Sequence, residues 1–131
     1  MSAREALRAL LESLPACEAL CPDGIFTEAG AGARGGALCL EEELGRTEDI
    51  LGQVTRRLRW RLWLPRCAGG EEARAALAAG CERLRAEALR AGTSFDAVEM
   101  TPLRLARLDG GTGAFYVDIT TTSTERKEAN G

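Results

Sequence analysis

The sequence predicts an α+β domain: a mostly antiparallel mixed sheet with two helices packed on one face. Three observations carry this. One stretch alternates apolar and polar residues over about 15 positions, from Ile50 to Leu64, a period that only a strand half-buried on one face explains. Two other stretches repeat their leucines and alanines at helical spacing,. Finally, helices and strands do not alternate one for one along the chain, as a parallel α/β sheet would require. The predicted order is α-β-β-β-α-β-β.

The first helix starts at Ser2, which with Glu5 forms a capping box,. Leu7, Leu10, Leu11 and Leu14 make its apolar stripe, and Pro15 ends or bends it,. Pro22-Asp23-Gly24 is a turn before a short strand, Ile25 to Glu28,. Residues 29–36 are Gly- and Ala-rich and read as a mobile loop. They lack the Gly-Lys-Ser/Thr ending that a P-loop needs to hold phosphate. A second strand runs from Ala37 to Glu43.

In the long strand, Ile50, Val54, Leu58, Trp60, Leu62 and Leu64 share one face, with Arg56 as the exception. Gln53, Thr55, Arg57, Arg59, Arg61 and Trp63 share the other. Matching the apolar faces of a hairpin pairs Leu44 with Ile50, Leu40 with Val54, Leu38 with Arg56, Glu41 with Gln53 and Ala37 with Arg57. Gly45 to Asp49 is then the loop. After Pro65 and Gly69-Gly70, a helix spans Glu71 to Arg90, with acids at its start, a base at its end and Gly92 as C-cap,. Its stripe is Ala73, Leu77, Cys81, Leu84 and Ala88. A closing hairpin joins Val98–Leu108 to Ala114–Thr122, with Leu105 opposite Val117 and Leu103 opposite Ile119. Residues from about 121 to 131 are polar and are expected to fray,.

With 131 residues, 45% of them apolar and 28% charged, the chain suits one globular domain spanning 1–131,. Its net charge of −3 does not favour a nucleic-acid binder,. No segment approaches the roughly 20 apolar residues of a membrane helix. The five cysteines, Cys17, Cys21, Cys39, Cys67 and Cys81, form no Cys-x-x-Cys pair. They are expected to be reduced, small buried hydrophobes in a reducing compartment.

The chain contains no histidine, so the usual general base and metal ligand are missing. No cysteine or serine has a base to activate it, and no catalytic, cofactor or metal residues are assigned. Neighbouring acids on a strand point to opposite faces and do not converge. Asp118 lies mid-strand and is read either as a lone functional acid or, preferably, as solvent-facing or paired with an arginine.

The charge feature with most content is a basic stripe. Arg57, Arg59 and Arg61 project from one face about 6.6 Å apart, and Arg56 and Arg66 add to it. Glu41 to Asp49 carries five acids against one arginine, while Gln53 to Arg66 carries five arginines and no acid. Three uses are open: a solvated face with local ion pairs, a nucleic-acid surface with Trp63 for stacking, or a contact between copies of the chain.

The opening Ser-Ala-Arg-Glu-Ala-Leu-Arg-Ala-Leu-Leu helix, the strand Thr55-Arg-Arg-Leu-Arg-Trp-Arg-Leu-Trp-Leu-Pro65 followed by a helix, and the closing Phe115-Tyr-Val-Asp-Ile-Thr120 together resemble the tail-terminator, or tail-completion, proteins of long-tailed bacteriophages and prophages. These are often labelled minor capsid proteins. The resemblance covers most of the chain. The cysteine count and the Gly-rich loop depart from the pattern.

The resemblance implies a structural protein without enzymatic activity or cofactor. It would form a homo-oligomeric ring, commonly a hexamer, that caps the tail tube and joins it to the head–tail connector protein. DNA would pass through the lumen without specific binding. The implied location is the virion, after assembly in the bacterial host cytoplasm, with no membrane partner. Arg57, Arg59 and Arg61 against Glu41 and Glu43 are the interface candidates. The alternatives are another head–tail joining component of head-closure or tail-tube type, a small nucleic-acid-binding module using Arg56 to Arg61, and a small enzyme using a cysteine or Asp118.

Overall fold

The computed structural model describes residues 2–27, 34–65, 70–107 and 113–126. The expectations made for residues 28–33, for Arg66 and Cys67, for the hairpin tip at 108–112 and for 127–131 lie outside the described residues. The observed class is α+β, with three helices against a six-stranded mixed sheet among the described residues.

Helix α1 spans Ala3–Glu12 and starts where the capping box placed it: Ser2 Oγ accepts the Glu5 backbone N–H at 3.2 Å. Leu7, Leu10 and Leu11 are buried. Pro15 does more than stop the chain. It occupies the first turn of a second helix, α2 (Pro15–Leu20), where its missing N–H would have had no partner anyway,. The predicted single helix is therefore two. Glu87 fixes the start of α2 by accepting the Ala16 N–H at 2.9 Å. Glu87 belongs to α3 (Glu71–Arg90), whose bounds match the sequence reading. Gly92 is not its left-handed cap. The helix ends through Ala91 in extended backbone, and among the described residues only Gly24 and Gly52 have positive φ.

The strands are β1 (Ile25–Phe26), β2 (Gly36–Glu48), β3 (Gln53–Trp63), β4 (Ala97–Met100), β5 (Arg104–Arg107) and β6 (Gly113–Arg126). Their order is β1-β2-β3-β6-β4, with β5 also on β6. Among the described residues, only β1 and β2 pair in parallel.

The register of the first hairpin corrects the prediction. Ala37 pairs with Trp63, Leu38 with Leu62 and Leu40 with Trp60, instead of Arg57, Arg56 and Val54. The slip is six residues, an even number, so Leu38, Trp60 and Leu62 keep the face that the alternation assigned. Turn chemistry sets the true register. Asp49 Oδ1 accepts the N–H groups of Leu51 and Gln53, each at 2.9 Å, and Gly52 has φ +81°, a conformation suited to glycine. The turn is thus Asp49–Gly52, and the predicted loop residues Gly45 to Glu48 are strand. The extra length of β2 is absorbed by irregularities between Leu40 and Glu42 and between Glu43 and Gly45,. Ile50 lies in the turn and does not open β3.

The closing hairpin differs as well. Val98–Leu108 is not one strand, because β4 and β5 are separated at Thr101-Pro102-Leu103. Proline has no N–H to give a ladder. Thr101 holds the break to β6: its N–H donates to the Asp118 carbonyl, and its Oγ1 accepts the Asp118 N–H, both at 2.9 Å. Leu105 therefore faces Phe115, not Val117, and Ile119 faces Met100, not Leu103. Strand β6 also continues past Thr122 to Arg126, paired with β3 down to Gln53. The threonines expected to fray are β-branched residues well suited to a strand.

All three helices cover one sheet face. The fully buried side chains include Leu7 and Leu11 of α1, Leu84 of α3, and Leu38, Trp60, Leu62, Val117 and Ile119 of the sheet. The opposite face carries Arg59, Arg61, Trp63, Tyr116 and Asp118. Among the described residues no helix is long and apolar enough to cross a membrane.

Candidate functional site

The alternation of β3 places Arg57, Arg59 and Arg61 on the sheet face away from the helices. Pairing with β6 then sets Thr122, Thr120 and Asp118 beside them, and Tyr116 beside Trp63. Asp118 becomes the electrostatic centre of this face. It is only 8% exposed, and a carboxylate that buried needs cationic partners. Arg61 donates from Nε to Oδ1 at 2.9 Å and from Nη2 to Oδ2 at 3.4 Å. Arg59 Nη1 reaches Oδ2 at 3.5 Å. The hydrogen bond that Arg61 donates to Asp118 holds its cation above the ordinary arginine pKa. That contribution is complete below the unfolded-state value and is lost only as pH climbs past the folded one, so Arg61 is charged at any working pH.

Aromatic rings enclose the same guanidinium. Arg61 Cζ lies 4.0 Å from the Tyr116 ring centre and 5.5 Å from that of Trp63, within cation–π range. The two rings sit 5.2 Å apart at 55°. Arg59 also approaches Glu42, with Nε 3.4 Å from Oε1. That Nε makes no hydrogen bond, so the contact is an ion pair without directed bonding.

Of the five interface candidates, the structure therefore brings Arg59 and Arg61 together on Asp118. Glu43 is engaged by Arg56 at 3.3 Å within the same hairpin. Arg57 and Glu41 remain exposed. The sequence reading favoured Asp118 as solvent-facing or paired with an arginine; it is paired with arginine and is buried instead of solvent-facing. Three participants went unnoticed in the sequence: Glu42, Tyr116 and Thr101. Glu42 reaches Arg59 only because of the irregularity after Leu40, and Tyr116 meets Trp63 only in the observed β3–β6 register.

A second feature is the outer part of the first hairpin. From Leu40 to Glu48 every residue of β2 is exposed. The hydrogen-bonded turn ends in Ile50, fully exposed, and Leu51, 73% exposed.

The thiols form a third group. Cys17, Cys21 and Cys81 are buried, and Cys39 is half-buried. Hydrogen bonding to Cys21, with burial, raises Cys17 well above the ordinary thiol range, and burial pushes Cys81 up to about 11. Between pH 9 and 11 the unfolded chain gives up a proton that folded Cys81 keeps, so stability falls as pH rises through that window. The urea midpoint is expected to drop more steeply there in the wild type than in Cys81→Ala. Parallel curves would show that Cys81 does not contribute.

Among the described residues no three His, Cys, Asp or Glu side chains are grouped to hold a metal ion. No protein-family model matches the chain, and no curated protein matches it in sequence.

Proposed function

We propose that this chain is a virion-assembly subunit of the tail-terminator kind, which associates with copies of itself into a ring that ends a phage tail tube and joins it to the head. The observation that carries this reading is the hairpin arm. It is exposed along β2 from Leu40 to Glu48 and presents two bare aliphatic side chains at an ordered turn. A chain that works alone gains nothing from such an arm. The sequence resemblance supplies the ring and the tail.

The arginine face argues against a nucleic-acid track. Its charge is offset by Asp118 and Glu42, and the rings that would stack on bases already flank Arg61.

Gel filtration with light scattering tests the proposal. One copy weighs 14.0 kDa, and the expected result is a closed species of several copies, six by the resemblance. A chain that stays single at high concentration, both alone and with purified tail tubes, overturns it. Oligonucleotide binding that weakens steeply with salt would favour the nucleic-acid module instead.

A further inference from the structure

We draw no further inference here: the strongest candidate, the exposed aliphatic tip of the β2–β3 hairpin at Ile50 and Leu51, carries nothing, because nothing in the structure shows what covers it.

Discussion

Replacing Trp60 with alanine is expected to lower the unfolding free energy by about 4 kcal/mol, the usual cost of deleting a large aromatic from a packed core. Trp60 is 2% exposed at the centre of β3, facing the helices. Its indole N–H donates to Thr121 Oγ1 at 2.9 Å, and Thr121 is itself buried. The alanine variant opens a cavity and also strips a buried hydroxyl of its partner. Trp60→Phe separates the two effects. It keeps most of the volume and loses the hydrogen bond, for about 1–2 kcal/mol. Urea unfolding of both variants, read as a change in midpoint at constant slope, checks the values. A phenylalanine variant as damaged as the alanine one would show that the hydrogen bond, not the volume, dominates.

The second large effect is expected at Asp118. Among the described residues, Asp118→Ala leaves Arg61 with no carboxylate in ion-pair contact and Arg59 with only its loose contact to Glu42. Breaking a well-buried pair costs about 3–5 kcal/mol. The Arg61 and Arg59 side chains are 20% and 33% exposed, so water recovers part of that, and about 2–3 kcal/mol is the expected loss. Adding Arg61→Leu should restore stability, since removing both partners of such a pair is often neutral. Thermal unfolding of the single and double variants decides the matter. If the double variant is weaker than Asp118→Ala, Arg61 stabilises through its stacking on Tyr116 and Trp63 more than through its charge.

The two sites also show what a sequence can reveal. The alternation along β3 identified Trp60 as core and put the arginines on the opposite face, because side-chain direction in a strand depends only on parity. The helix at Glu71–Arg90 was equally legible, with its acids first, its base last and a glycine before it. Register was not legible. Parity fixes a pairing only to within an even number of residues, and a slip of six satisfied it as well as the predicted one did. The information that selected the true register lay in the turn Asp49–Gly52; the sequence reading takes Asp49 as the end of a loop from Gly45, and Ile50 to Gly52 as the start of the strand. The irregularities of β2 then moved Glu42 opposite Arg59, which no alternation rule anticipates. In the closing hairpin, Pro102 marks the break between β4 and β5, and the apolar match of Leu103 to Ile119 ran one strand across it. The threonines of β6 were judged by polarity, although their branching suits them to a long strand supported by β3. The face built around Asp118 was thus half visible: its arginines came from parity, while its acid and rings were placed by tertiary pairing.

The irregularities of β2 have one more effect. Beyond Ala37 this strand carries no neighbour on its outer side among the described residues, and a flat bare strand of that length invites runaway stacking into fibrils. Two interruptions within five residues twist its backbone out of line, and Glu41, Glu42 and Glu43 set like charges against any identical strand laid in register beside it. Removing both safeguards, by straightening the strand and neutralising the acids, is expected to raise the tendency of the chain to aggregate edge to edge.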